Sequence, residues 1–366
     1  MPHRIAYDHQ IFCEQQFGGI SRYVCELARM VDRMPAFEAR IVAPVHFNDY
    51  LRTSDAPNVG WYHDSRLPKS IYRTVNKVVG HALTAAWRPS LVHQSLYRPA
   101  VAPRGAPVVV TVHDMIHELY PSDFPASDPE PRFKRASVAR ADKVICISQS
   151  TAADLMRLLD VPASKIRVIH HGAPDLGSQF PAKARGNRSR PYLLYIGHRN
   201  KYKNFANALK AYAASRVTTE LDFVAFGGGG FTLEEQDLIN SLLVRPGSVV
   251  QISGSDADLA EMYRHAHAFV YPSRYEGFGI PPLEAMSCGC PVLCSNTSSL
   301  PEVVADAALQ FDPESIEQIK AAFETICDNA TIRRTLIAAG RRRAAELTWQ
   351  RCAEATAAVY AEVIGA

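Results

Sequence analysis

Tyr271-Pro-Ser-Arg-Tyr-Glu276-Gly-Phe-Gly-Ile-Pro-Pro-Leu-Glu284-Ala-Met286 is the stretch on which the fold is decided. A strand ends near Tyr271, and Pro281 suits the first turn of a helix, where its missing N–H is not needed. Gly277 and Gly279 let the backbone approach a ligand closely, and the start of a helix presents N–H groups to an anion. Glu276 falls in the loop and Glu284 in the first helical turns, which sets two carboxylates about one diphosphate apart. The plain alternative is a strand–turn–helix with solvated acids. Against it stands the order Glu-Gly-Phe-Gly-x-Pro-x-x-Glu-Ala-Met, which is far more specific than a lone glycine motif.

Outward from this loop, strand-like apolar runs alternate with helical patterns along most of the chain. Arg4–Ala6, Ala39–Ala43, Val108–Val112, Lys143–Ile147 and Ile166–Ile169 read as buried strands. A second series runs Tyr192–Ile196, Leu221–Phe226, Val249–Ile252, Ala268–Tyr271, Pro291–Cys294 and Ala308–Gln310. Between strands, Ile20, Val24, Leu27, Ala28 and Val31 fall on one helical face. Such alternation predicts doubly wound parallel sheets, which bind ligands outside the carboxyl ends of their strands. The expected organisation is a Rossmann-like domain over 1–172, a linker over 173–189 rich in Gly, Pro, Arg and Lys, and a second Rossmann-like domain over 190–345. A helical segment over 346–366 closes the chain.

The segment from Glu276 to Glu284 resembles the E-x7-E signature of glycosyltransferase family 4, a group of retaining enzymes of the GT-B fold. The resemblance extends to Phe17-Gly-Gly-Ile-Ser-Arg-Tyr23, Val110-Thr-Val-His-Asp114, Ser148-Gln-Ser-Thr151, Ile169-His-His-Gly172, Gly197-His-Arg-Asn-Lys-Tyr-Lys-Asn-Phe205 and Pro291-Val-Leu-Cys-Ser-Asn296. It implies an α/β protein whose two Rossmann-like domains face each other across a deep cleft. The first domain would take the acceptor and the second the nucleotide-sugar donor, with the terminal helix packing back onto the first. It implies further that Glu276 contacts the donor sugar and Glu284 the ribose. The N–H groups of Gly277, Phe278, Gly279 and Ile280, and of the turn Ser298, Ser299 and Leu300, would hold the pyrophosphate. Gly18 and Gly19 would lie beside the diphosphate, and His113 beside the donor sugar. On its own the glycine pair is equally a plain turn, and His113 a satisfied core residue at a strand end.

Lys203 and Arg199 follow the strand that ends at Gly197, which places positive charge where a diphosphate departs. A fixed donor aimed at charge that grows in the transition state is worth about 100–1,000-fold in rate. The family pattern is not kept throughout. Lys203 stands at its usual distance from Gly197, whereas Arg199 sits one place late, with His198 between, and Lys201 could share its duty. The resemblance implies front-face transfer with retained anomeric configuration, in which the leaving phosphate helps deprotonate the acceptor. No metal and no cofactor is implied. Asp256-Ala-Asp258 looks like a metal-binding D-x-D, but Gly254 and Ser255 precede it and a helical run follows, so helix capping is the better reading. Gly227–Gly230 lacks the fingerprint of a nicotinamide site.

The donor is read as GDP-mannose, because Val-His-Asp-Met-Ile-His-Glu-Leu-Tyr-Pro and Tyr-Lys-Asn-Phe look most like bacterial polysaccharide mannosyltransferases acting on saccharide or lipid-linked saccharide acceptors. A UDP-sugar is the alternative, since no residue distinguishes guanine from uracil. A non-hydrolysing epimerase of the same architecture and a non-catalytic scaffold are the rival classes, neither of which calls for Lys203, Glu276 and Glu284 together.

Composition agrees with two globular domains. The chain has 366 residues, 47% hydrophobic and 21% charged, with a net charge of +3, too apolar for disorder. Eight scattered cysteines without a C-x-x-C pair read as buried, reduced thiols. No run approaches the roughly 20 apolar residues of a membrane-spanning helix, and Met-Pro-His-Arg-Ile-Ala-Tyr-Asp has no signal-peptide core, so a cytoplasmic protein is expected. Up to Arg190 there are 25 Lys and Arg against 17 Asp and Glu, and beyond it 15 against 20. This bias suits an anionic partner of the first half, though no nucleic-acid motif accompanies it. Ile71, Val75, Val78, Val79, Ala82, Leu83 and Ala86 share a helical face, with Lys69, Arg73 and Lys77 four apart elsewhere, and acids are sparse from Arg66 to Arg104. The first reading is a core-packing helix. The second is a helix lying at a membrane surface, with the basic Arg132-Phe-Lys-Arg135 run serving the same face.

Overall fold

The structure, a computed structural model, describes residues 1–63, 67–98, 102–103, 105–182, 190–199 and 201–365. The chain divides into two compact units, Met1–Gly172 with Trp349–Ala366, and Ala173–Thr348.

The first unit is built on β1 (His3–Tyr7), β2 (Phe37–His46), β3 (Asn58–Tyr62), β4 (Leu91–Gln94), β5 (Val108–Val112), β6 (Lys143–Cys146) and β7 (Ile166–Val168). They form one parallel sheet in the order β3-β2-β1-β4-β5-β6-β7. Central strands are buried on both faces, as their unbroken β-branched runs require: all five residues of Val108-Val-Val-Thr-Val112 are buried. The helix Gly19–Asp32 covers one face with Tyr23, Val24, Leu27, Ala28 and Val31. The last helix, Trp349–Ile364, packs beside it and buries Trp349, Cys352, Thr356 and Tyr360.

The second unit repeats the plan with β8 (Tyr192–Ile196), β9 (Asp222–Phe226), β10 (Val249–Ile252), β11 (Ala268–Tyr271), β12 (Val292–Ser295) and β13 (Ala308–Phe311). These are again parallel, in the order β10-β9-β8-β11-β12-β13. Its core joins Leu193, Tyr195 and Phe223 of the sheet to Phe205, Leu209 and Tyr212 of one helix and Ile319, Phe323 and Ile326 of another. In each sheet the strand order reverses once, between β1 and β4 and between β8 and β11. Doubly wound sheets open a crevice at such a point, because the connections leave in opposite directions.

The structure differs from the sequence reading in three respects. The start of the expected linker is ordered against the second unit: helix Leu176–Gln179 is capped by Asp175, and the Arg264 guanidinium donates to the carbonyls of Leu176, Gly177 and Phe180. The remainder of that linker, 183–189, lies outside the described residues. Strands β3 and β4 were not read from the sequence. The third difference is the run over 69–87, which forms helix Lys69–Val75, a π-helical turn Asn76–Gly80 and helix His81–Trp87. It does not pack its apolar face on the core. Its buried residues are Tyr72, Asn76 and Gly80, while Ile71, Val78, Val79 and Leu83 are exposed. The reason is a contact distant in sequence: the Asn76 side chain turns inward, accepting from Val45 N at 3.0 Å and donating to Val45 O at 2.6 Å, and this fixes the opposite face outward.

All eight cysteines are unbridged, and burial raises the thiols of Cys13, Cys146 and Cys294 to about 12. Among the described residues no helix is long and apolar enough to cross a membrane.

Candidate functional site

In the second unit the chemistry gathers at the switch point. The loop after β8 carries Lys203 and the loop after β11 carries Glu276. Lys203 Nζ donates to both carboxylate oxygens of Glu276, at 2.7 and 2.9 Å, and lies 3.5 Å from the Tyr271 hydroxyl. Glu276 is 7% exposed, so the pair sits at the floor of its loop rather than in open solvent. The two loops are tied together by backbone bonds. Arg274 N donates to Tyr202 O at 2.8 Å, and the Arg274 guanidinium donates to Lys201 O at 2.7 Å. The Tyr271 hydroxyl is held neutral, its pKa pushed far up by burial and then by the Glu276 charge.

The turn at 298–300 braces the same loop. Ser298 Oγ accepts from Glu276 N at 2.9 Å, and Ser299 Oγ donates to Glu276 O and Phe278 O at 2.9 and 2.8 Å. Gly279, at φ +107°, caps the helix Ile280–Ser287, and a Cβ there would stand 2.8 Å from Leu300 Cδ2. Only glycine fits such a backbone against that neighbour. Pro281 and Pro282 remove two N–H groups from the first helical turn. Glu284 lies on the same helix, buried, with the Tyr263 hydroxyl 3.4 Å from its Oε2.

Arg199 is placed differently from its expected role. Its Nε donates to Glu235 Oε1 at 2.8 Å, and its terminal nitrogens donate to the carbonyls of Gly227, Gly228, Gly229 and Gly230. With its side chain 3% exposed and these donors occupied, it holds the glycine loop after β9 instead of facing the Lys203–Glu276 pair. The physical cause is the Glu235 carboxylate and four convergent carbonyls, which offer a guanidinium more bonds than open solvent does. Asp256-Ala-Asp258 forms the first turn of helix Asp256–His265, where Ser255 and Asp258 cap each other reciprocally.

In the first unit Gly18 caps helix Gly19–Asp32 in an extended conformation, and a Cβ on Gly19 would meet only open space. His113 follows β5. Ile20 and His113 line a cavity of about 310 Å³ together with Tyr97, Arg98, Asp114 and Lys134. His113 is buried, its backbone N–H donates to the Tyr97 hydroxyl at 2.9 Å, and burial lowers its pKa to about 4. It is therefore a neutral imidazole at neutral pH.

Two partners of His113 escaped the sequence reading. His171 stacks on it at 5.7 Å and Tyr23 meets it edge-on at 5.2 Å. A buried chain continues from there: Tyr23 hydroxyl to Thr111 Oγ1 at 3.0 Å, Thr111 Oγ1 to His93 Nε2 at 2.9 Å, His93 Nδ1 to Tyr360 hydroxyl at 2.5 Å, and Tyr360 to Tyr7 at 3.0 Å. Polar residues at alternate positions of an otherwise apolar run, such as Thr111 in β5 and His113 just after it, were the available signal. Lys134 was read as part of a surface basic run. It is 1% exposed and donates to Glu118 Oε2 and Asp114 O, at 2.8 and 2.9 Å.

Two parallel doubly wound sheets of this kind define the GT-B class. Over 99% of its length the chain superposes on a sucrose-phosphate synthase from Thermosynechococcus elongatus with a TM-score of 0.75 at 20% identity, covering 99% of that chain. The model of Glycosyltransferase Family 4 matches residues 17–175, and that of Glycosyl transferases group 1 matches 179–343. The chain belongs to glycosyltransferase family 4. It is 33% identical over 235 residues to O-antigen chain mannosyltransferase B of Escherichia coli, a match covering 61% of each chain. To the serotype-specific mannosyltransferase WbdA of Escherichia coli it is 28% identical over 266 residues, 66% of this chain and 32% of that one. The match thus spans less than two thirds of either relative.

Proposed function

We propose that the chain is a retaining mannosyltransferase that uses GDP-mannose as donor and a saccharide or lipid-linked saccharide as acceptor. The observation that carries this reading is the Lys203–Glu276 pair, set at the switch point of the second unit beside a loop of backbone N–H groups. The mannosyltransferase relatives support the choice of sugar.

In this reading the donor diphosphate lies on the N–H groups of Gly277, Phe278, Gly279, Ile280, Ser298, Ser299 and Leu300. Lys203 exchanges its carboxylate partner for the phosphate, and Glu276 turns to the hydroxyls of the sugar. Glu284 binds the ribose. The bond from the anomeric carbon to the phosphate oxygen breaks, and the acceptor oxygen bonds to that carbon on the same face. The acceptor's proton passes to the departing phosphate oxygen, so nucleoside diphosphate and lengthened saccharide are the products. The charge gathering on the leaving group is met by Lys203 and the loop N–H groups, already in place once the donor is bound. His113 contributes a neutral ring to the sugar pocket. No divalent cation takes part, and EDTA is expected to leave turnover unchanged; loss of activity restored by manganese would contradict this.

Calorimetry against a panel of nucleotide sugars tests the reading. Preferential binding of GDP-mannose, lost in Glu284→Ala, is the expected result. Preference for a UDP-sugar would replace the donor and keep the enzyme, whereas binding of none would move the chain to the non-catalytic class.

A further inference from the structure

The run over 69–87 presents a row of apolar side chains to the outside: Ile71, Val78, Val79 and Leu83, with Val78 67% exposed. Single exposed apolar residues need no explanation, but a helical row of them marks a contact surface. The row continues onto the edge strand β3. The register sets Val59 beside Val42 and Trp61 beside Val45. Val42 lines the hollow beside Gly80 and Thr84, and the Val45 side chain packs against the cluster of Cys13, Phe47 and Tyr72, the last of which is on this helix. Partners in parallel strands share a face of the sheet, so Val59 and Trp61 lie on the side occupied by this helix. Trp61 is 81% exposed. The end of β3 is tied to the helix where His63 Nδ1 lies 3.2 Å from the Tyr72 hydroxyl.

Charge identifies the partner. From Ser65 to His113 the sequence contains no Asp or Glu and seven Lys or Arg. Of these, Lys69, Arg73, Lys77 and Arg88 are exposed on the helical run or at its end. Glu14 answers Lys69 and Arg73, and Asp55 and Asp49 are taken up by Arg33 and Arg52. A second copy of the chain would bring this cation stripe against itself, at a cost that grows as water is excluded. An anionic surface with an apolar interior satisfies both halves of the pattern, and an exposed tryptophan is suited to the boundary between them.

We propose that the helix over 69–87 and the edge strand β3 together form a docking face for an anionic lipid bilayer. Trp61, Val78, Val79 and Leu83 enter the headgroup boundary, and Lys69, Lys77 and Arg88 meet the lipid phosphates. The donor assignment in the second unit is independent of this face.

The test uses the whole chain with vesicles of phosphatidylcholine alone or mixed equally with phosphatidylglycerol. Retention on the anionic vesicles at about 50 mM salt and release at about 0.5 M, where the Debye length shrinks several-fold, is expected. Tryptophan emission should shift to the blue on binding in the native chain and stay in place in Trp61→Tyr. Lys69→Gln with Lys77→Gln should lower partitioning roughly thirtyfold, at about 1 kcal/mol for each cation near the surface. Trp61→Ser with Val78→Ser should lower it by about tenfold or more. Circular dichroism and nucleotide binding are expected to be unchanged in both double variants, which separates loss of docking from loss of fold or of the donor site. No retention on anionic vesicles, or retention unaltered by either pair of substitutions, overturns the proposal. So does self-association in the absence of lipid that Trp61→Ser with Val78→Ser abolishes, since the face would then belong to a second copy.

Discussion

The two units reverse their strand order in the same way, yet the loops at the two reversal points hold their carboxylates by different partners. Between β8 and β11 the loops bring a lysine and a carboxylate together as a charged pair beside backbone N–H groups. Between β1 and β4 the corresponding loops are tied by Asp8, whose carboxylate accepts from Ser95 Oγ, Ser95 N and Gln10 N. Burial raises the Asp8 pKa, and the groups deeper in that unit are neutral tyrosines and imidazoles. One topology thus carries a lysine–carboxylate pair in one unit, and in the other a buried carboxylate held by hydroxyl and backbone donors. The difference lies in which groups the loops carry, not in the fold.

The largest effect is expected at Lys203. Lys203→Ala is expected to lower turnover about 100–1,000-fold and to weaken nucleoside diphosphate binding in calorimetry. Unchanged affinity would remove the phosphate role from this loop. Glu276→Ala should act on turnover to a similar extent with an intact fold by circular dichroism.

Acid should separate the units next. His93 is lowered to about 3, and His46 and His113 to about 4, all chiefly by burial. Each is held neutral by the fold, so between pH 6.5 and about 4 the unfolded chain binds more protons than the folded one. Stability from these groups is present above pH 6.5 and is lost as pH falls through that window. The first unit is expected to lose on the order of 5–10 °C in melting temperature from pH 7 to 5, the second less. Hydrogen exchange at the two pH values reads this unit by unit, and equal protection loss in both would undo the contrast.

Smaller effects sharpen it. Tyr360→Phe removes a hydroxyl shared by His93 and Tyr7 and should cost about 1–3 kcal/mol in urea unfolding, without altering nucleotide binding. Asp258→Ala takes away one half of a helix cap and should cost about 0.5–2 kcal/mol, with turnover intact. A turnover loss there would return Asp258 to metal chemistry.

How much of this could be read from residues alone follows the same division. All six strands of the second sheet lie within a residue of their expected positions at each end, because they are mainly apolar runs between turn residues. The loop from Glu276 to Glu284 was legible because its glycines and prolines have few other uses in that order. β3 was missed because Asn58-Val-Gly-Trp-Tyr62 is an exposed edge without a buried face, and β4 because Leu91-Val-His-Gln94 is half polar. The helix over 69–87 has a clear period, but a period shows only that two faces differ. Which face turns inward was settled by Asn76, whose bonds to Val45 no local pattern reveals. Arg199 was misplaced for a related reason: the carboxylate it meets lies 36 positions away.

The discontinuity of the first unit has a consequence for how the chain is made. Tyr360 and Trp349, which complete the surroundings of Tyr7, Tyr23 and His93, follow the 176 residues of Ala173–Thr348. At about 5–20 residues per second, a ribosome reaches Trp349 some ten to thirty seconds after finishing Gly172. For that interval the earlier-born half carries an unsealed groove of tyrosine hydroxyls and imidazoles, while the later-born half can close first. Birth order and folding order are then expected to be reversed. Nascent chains arrested before Trp349 should therefore show a protease-resistant second half tethered to a cleavable first one.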